Sequence, residues 1–367
     1  MAVLGVSSVA PAFPLIIDSL PLFDSHNIGL IITFFTIPGV VLTPIMGVLA
    51  DRYGRKRILV PSLLLFGLAG FSCGFAPSFH ILLGLRFLQG VGAASLGALN
   101  ITLIGDLFPG DQRSAALGLN AGVLSLGVAS YPVIGGALAS LSWNYPFFLP
   151  IIAVPLALIV LFFLDNPEPK QSDSFSAYFK STLGHLSERR IFGLLLATLM
   201  TFILIYGPFL TYMPVHLGEA FNASPLDIGL IMGAAALVTA LIASQLGRIS
   251  KLVPEKVLIR LAFIAYALAA LSMSYMPSLW MFFFPVLLFG IGQGLNIPSI
   301  QSLLAGLAPM EQRGAFMAVN GMVLRMGQTI APLLMGLIFG LWGIDFVFIF
   351  SSILALVMFG LTFWFNP

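Results

Sequence analysis

The sequence predicts an all-α membrane protein: twelve apolar helices in two six-helix bundles, with both termini cytoplasmic. Three observations carry that prediction: a shortage of charge, apolar runs of crossing length that recur along the whole chain, and an internal repeat. Of 367 residues, 16 are Lys or Arg and 14 are Asp or Glu, so 8% are charged, against about 25% in soluble domains. Hydrophobic residues make up 59% and the mean hydropathy is +1.05. So few charges could not cover the surface of a water-soluble fold, which excludes soluble enzymes, nucleic-acid binders and disordered chains. The single cysteine, Cys73, can close no intramolecular disulfide and offers no Cys-based metal site.

A bilayer-spanning helix needs about 20 apolar residues at about 1.5 Å rise each. Cutting the chain at charged or turn-rich stretches gives crossings at Met1–Leu20, Gly29–Leu49, Ile58–Ala76, Phe79–Gly105, Ala115–Leu141 and Pro146–Leu164. The second set is Ile191–Leu217, Ile228–Leu246, Val257–Met276, Leu279–Leu307, Ala315–Leu341 and Ile344–Phe365. Gly and Pro recur within them, which buried membrane helices tolerate because neighbours satisfy the freed backbone groups. The runs lack the alternation of an outer-membrane barrel. Met1–Leu20 has no basic start and does not read as a signal peptide.

Orientation follows from the basic residues. Every Lys and Arg except Arg86 and Arg325 falls after an even-numbered crossing, Arg260 lying in the first turn of the next one. The opposite loops hold only the acids Asp18, Asp24, Glu219, Asp227 and Asp345. Even-numbered loops are therefore expected inside. Asp165–Arg190 concentrates charge (Asp165, Glu168, Lys170, Asp173, Lys180, Glu188, Arg189 and Arg190) around Pro167 and Pro169. It reads as a cytoplasmic linker, 165–190, between bundles at 1–164 and 191–367.

The halves overlay at one fixed offset without gaps. Ile28-Gly29-Leu30-Ile31 meets Ile228-Gly229-Leu230-Ile231, Pro77-Ser78 meets Pro277-Ser278, and Gly90 and Gly92 meet Gly290 and Gly292. Gln112-Arg113 meets Gln312-Arg313, Asn120 meets Asn320, and Pro132 and Gly136 meet Pro332 and Gly336. Apolar helices can match by chance, but Gln-Arg, Pro-Ser and Asn are scarce here. Two parallel bundles about a central cavity are expected. The partner of Ile191 would lie upstream of Met1, so several more residues are expected before it.

The turn after the second crossing reads Gly47-x-Leu49-x-Asp51-Arg52-x-Gly54-Arg55-Lys56. Positive-inside charge alone does not explain the placement of Gly47, Asp51 and Gly54. Here the sequence resembles the major facilitator superfamily. The resemblance implies that Asp51 meets helix 11 of the other half and that Arg55 pairs with Asp106 at the end of helix 4. Such a clasp would hold the cytoplasmic side closed, with Arg52 and Arg113 in the same charged set. The second-half copy puts Lys251 and Pro254 opposite Asp51 and Gly54, so the clasp should be one-sided.

Helix 4 carries Leu82-x-x-x-Arg86-x-x-Gln89-Gly90-x-Gly92-Ala93-Ala94, also similar to the family's pattern. A lone Arg inside a membrane should face water, a partner or a ligand; the alternative is an Arg bonding backbone carbonyls. The resemblance gives Arg86 a part in proton-linked coupling. Helix 5 reads Gly118-x8-Gly127-x3-Tyr131-Pro132-x2-Gly135-Gly136, which resembles the signature of drug-exporting antiporters with Tyr131 replacing one Gly. Small residues at this spacing permit close helix packing. Leu4-Gly5-x5-Pro11-x2-Pro14 resembles a helix-1 motif of the same branch.

Asp18, Gln89, Asn100, Asn120, Tyr212, Gln293, Asn296, Arg325 and Gln328 are the polar candidates for a substrate cavity. Asp18 and Glu219, partly desolvated at outer helix ends, could exchange protons; each also reads as a plain solvated helix end. No nucleotide cradle is present, no metal ligand spacing occurs, and no cofactor is expected. The reading is therefore a secondary transporter of the cell membrane, working by alternating access and as a monomer. Its expected partners are the bilayer, protons and a small lipophilic substrate, cationic or neutral, moved outward as in multidrug efflux. A transporter of sugars, siderophores or metabolites, a transport-inactive receptor or scaffold, and a membrane enzyme are the alternatives. For the last, no His/Asp/Ser cluster gives support.

Overall fold

The computed structural model describes residues 3–20, 25–108, 110–164, 188–307 and 313–365; most of the linker, at 165–187, lies outside them, as does the side chain of Asp51. Among the described residues the chain is helical throughout, with no strand. Eleven helices are long and apolar enough to cross a membrane. The first crossing differs from expectation: α1, Leu4–Ser19, is shorter than the eighteen residues such a helix needs. It breaks at a 3-10 turn, Ala10–Ala12, because Pro11 and Pro14 lack the backbone N–H that continues a helix.

The other elements follow in order. The second, α2 (Leu30–Tyr53), is entered through a 3-10 turn at Ser25–Gly29. It stops at Gly54, whose φ of 96° only glycine adopts without strain. This permits α3 (Arg55–Cys73) to start at the next residue. Ser78 caps α4 (Phe79–Leu107) by accepting from the Ile81 N–H. Then come α5 (Gly110–Ala139) and α6 (Tyr145–Phe163), whose first turns are 3-10 where Pro146 and Pro150 fall.

The second half runs through α7 (Arg189–Phe221), α8 (Pro225–Leu252), α9 (Glu255–Met273), α10 (Leu279–Leu307), α11 (Arg313–Trp342) and α12 (Ile344–Phe365). Around Pro208, α7 widens into a π-helical stretch, Ile205–Tyr212. A capping box of Ser224 and Asp227 opens α8.

Lipid tails are as apolar as leucine, so helices in a membrane associate through close packing of small residues. The repeat shows in those contacts. Gly90 of α4 lies against the Phe35 carbonyl of α2, while Gly290 of α10 lies against the Ala235 carbonyl of α8. Gly92 lies against Ser62 and Phe66 of α3; Gly292 lies against Ala262 and Tyr266 of α9. Between the halves the pattern is reciprocal: Gly29 touches Pro332 and Gly229 touches Pro132. A pseudo-two-fold relation produces such swapped pairs.

Candidate translocation site

The halves meet along two seams, α2 against α11 and α5 against α8, and α1 reaches α7. All the tight contacts fall at the end away from the basic turns. Gly136 abuts the Pro225 carbonyl, Gly233 abuts Val133, and Gly218 abuts Pro14. Thr33 donates to the Thr329 carbonyl at 3.3 Å, and the Thr329 hydroxyl lies 3.0 Å from that of Thr36. The Tyr212 hydroxyl shares its one proton between the carbonyls of His26, at 2.9 Å in the first half, and Pro332, at 3.0 Å. Side chains added at Gly29 or Gly336 would strike that hydroxyl. This end is shut.

The basic end is open. Added side chains at Gly47, Gly118, Gly122, Gly247 and Gly321 would meet nothing within 4 Å. Every residue of α5 from Gly118 to Leu126 is exposed except the half-buried Asn120. Leu119 is 72% and Leu126 73% exposed. Consecutive helical residues point in all directions, so this stretch has a lipid face and a second face turned to a gap between the halves.

Several predicted cavity residues lie elsewhere. Arg86 and Gln89 do come together, but both are fully buried inside the first half. Arg86 Nη1 donates to the Gly5 carbonyl at 2.7 Å and to Gln89 Oε1 at 2.8 Å. Its guanidinium lies 5.4 Å from the ring of Phe35 and 5.1 Å from that of Phe147, a cation–π setting. Tyr212 is buried in the closed seam rather than in a cavity. Asn296 is buried too, donating to Thr201 Oγ1 at 2.6 Å. Asp18 is exposed at the closed end, near enough to Glu219 for their charges to interact. Helical spacing put Arg86, Gln89 and Asn296 on polar faces, but those faces met neighbouring helices.

Others do border the gap. Asn100 donates to Asn120 Oδ1 at 2.6 Å, tying α4 to the exposed stretch of α5. Gln293 accepts from Thr239 at 3.3 Å and stays half-buried. Arg325, half-buried, donates to Gln328 Oε1 at 3.3 Å and packs against Gly39 of α2. Gln328 is itself buried. The residues not anticipated are Thr33, Thr36 and Thr329, which seal the seam, and Tyr206, beside Arg325 and Gln328. The i, i+3 spacing of Thr33 and Thr36 was the only available signal for the first two.

At the basic end Arg55 Nε lies 2.9 Å from Asp106 Oδ2, with both side chains largely buried. Arg55 also donates to the Ala50 carbonyl at 3.3 Å, so the pair joins the α2–α3 turn to the end of α4. Arg113 donates to the Gly105 carbonyl at 2.6 Å, and Arg52 sits over the Tyr53 ring. Along α5, the ring of Tyr131 folds onto Gly127, one turn earlier. That accommodates the bulk where the resembling signature has glycine. Gly135 and Gly136 then abut the carbonyls of Ser8 and Pro225, and Pro132 faces Gly229.

Two like-built helical halves, shut at one end and parted at the other, define a polytopic membrane transporter. The sequence model of the Major Facilitator Superfamily matches residues 1–219 and 194–367, and the chain belongs to that family. It is a transporter, not an enzyme. It is 26% identical to the quinolone resistance protein NorA of Staphylococcus aureus over 343 residues, covering 92% of this chain and 86% of that one. Multidrug resistance protein 2 of Bacillus subtilis is 26% identical over 369 residues, covering 99% and 92%. The bacillibactin exporter of Bacillus subtilis is 38% identical over 151 residues, 39% of this chain and 37% of that protein. Among solved structures, an inward-facing bacterial homologue of the human lysosomal transporter Spinster superposes with a TM-score of 0.84 at 16% identity, covering 100% and 94%. The nucleoside transporter NupG gives 0.80 at 11%, covering 100% and 98%.

Proposed function

We propose that this chain is a proton-coupled exporter of small lipophilic compounds in the cell membrane. It crosses twelve times with both termini cytoplasmic, and bundles 1–164 and 191–367 rock about a central site. The observation that carries the reading is the asymmetry of the seams: interlocked glycine–carbonyl contacts at the acidic end and open space at the basic end. Basic turns favour the cytoplasmic face, which supports reading the open end as the one that loads from inside. Rocking would exchange the open and shut ends, which is alternating access. Export is supported by the names of the relatives covering nearly the whole chain, both resistance proteins. Asp18 and Glu219, brought together by α1 and α7 at the shut end, are the carboxylates placed to meet protons from outside.

Flux in everted vesicles carrying the protein tests this. A dye panel should be taken up when the lumen is acidified, and uptake should collapse with the pH gradient. Flux indifferent to an imposed gradient discards the antiport. Siderophore export is the second reading, favoured by the 38% identity over 151 residues to the bacillibactin exporter; uptake of bacillibactin in place of the dyes would establish it.

A further inference from the structure

Among the described residues, Arg325 is a charged side chain that packs across the central seam. From Arg313 to Arg325 the rise is about 18 Å at about 1.5 Å per residue, which places it deep within the crossing. Its Cδ, Nε and Cζ lie 3.4, 3.5 and 3.7 Å from where Gly39 of α2 would carry a Cβ, so nothing separates it from the opposite half. One turn toward the shut end, Thr33, Thr36 and Thr329 close the seam. Toward the basic end, Gly321 and Gly47 face open space. Arg325 is therefore the floor of the gap.

A cation at this depth pairs with an acid or backbone carbonyls, or faces a water-filled cavity. Among the described residues no carboxylate pairs with Arg325, and its side-chain hydrogen bond is the long one to Gln328. The acids whose side chains are described sit at helix ends: Asp18, Glu219, Asp227 and Asp345 at one side, Asp106, Glu188 and Glu255 at the other. Arg86 is sealed inside the first half and plays no part in the gap. Tyr206 of α7 lies beside the guanidinium, and Phe202 lies beside Tyr206. Phe202 packs under Gly327, one turn from Tyr206, their ring centroids 6.3 Å apart, and Tyr206 neighbours Arg325 and Gln328.

We infer that the central site binds an organic anion. Its carboxylate or equivalent acceptor sits in the guanidinium fork of Arg325, and its apolar or aromatic body lies against Phe202 and Tyr206. A planar fork holds a carboxylate through two parallel N–H donors, and Gln328 positions the fork from below. The inference rests on the transport reading and narrows its substrate class, replacing the cationic or neutral ligand that composition suggested.

The test uses the purified full chain in nanodiscs at pH 7 and two ligands with the same ring, 1-naphthylacetate and 1-naphthylmethylammonium. Equilibrium binding should favour the anion by about tenfold, the worth of a charge-assisted hydrogen bond. Arg325→Gln should bring the two affinities level, and Arg325→Lys should keep their order. Equal or tighter binding of the ammonium to the unmodified chain overturns the inference without any variant, as does a preference that survives Arg325→Gln. Binding is read without flux. A preserved preference with no transport in vesicles therefore upholds the anion site and removes the export reading, while dye export with no preference does the reverse.

Discussion

Arg86 shows how a membrane-embedded charge can be kept without solvent. Its hydrogen bonds to Gly5 and Gln89 and its two aromatic neighbours tie α1, α2 and α6 onto α4. A hydrogen bond to a charged group contributes about 1.5–3 kcal/mol, and an orphaned buried partner costs about 1–3 kcal/mol. Arg86→Ala should therefore destabilise the first half by on the order of 3 kcal/mol, read as a lowered Tm of the purified protein. Arg86→Lys should recover only part of this, because an ammonium cannot lie flat between two rings. An unchanged Tm for Arg86→Ala would mean the cluster holds nothing together, and any loss of flux would then have to be attributed to coupling alone. The sequence exposed Arg86 as a charge needing a partner; it could not say that the partner is a carbonyl of α1. Spacing along one helix defines a face, and the neighbour covering that face is set by tertiary packing. Asn296 is covered for the same reason by Thr201 of α7, whereas the contact of Arg55 with Asp106 that the resemblance implied is present.

At the scale of elements, the shut end is held by helix backbones brought together at glycines, with few side-chain hydrogen bonds. Besides Thr33, Thr36 and Thr329, Tyr212 supplies such bonds, since its one hydroxyl reaches the turn before α2 and the bend of α11 at Pro332. Tyr212→Phe deletes that oxygen and leaves the ring packed edge-on against Phe339. Losing a hydrogen bond of about 1 kcal/mol shifts a two-state balance by about fivefold. Spin labels placed across the α2–α11 seam should show a larger outward-open population in Tyr212→Phe than in the unmodified chain. An identical distance distribution would assign Tyr212 to packing alone. The glycine positions behind this seam were legible because the repeat sets them twice, at Gly29 and Gly229 and at Gly136 and Gly336. The threonine seal and Tyr206 were not, because they occur once and carry no repeated partner.

For the whole molecule, a seam that is shut here must open for export to finish, and this requirement can be tested by preventing it. An added Cβ at Gly340 would lie 3.5 Å from the ring of His26, an ordinary contact between α11 and the turn preceding α2. The native thiol, Cys73, is buried and will not compete. The double variant Gly340→Cys, His26→Cys puts two thiols at this contact, where a disulfide can be sought. Under mild oxidant the bridge should form and flux should drop at least tenfold, since a covalent bond cannot be broken by the binding energy that drives a conformational change of a few kcal/mol. Reductant should restore it. The bilayer sets the sign of the effect: in the proposed orientation, with the basic turns inside, the bridged protein should still bind 1-naphthylacetate added from the cytoplasmic face, because its open end is untouched. If the bridge forms quantitatively and flux continues, the halves do not separate at this end, and the rocking cycle fails along with the orientation built on it.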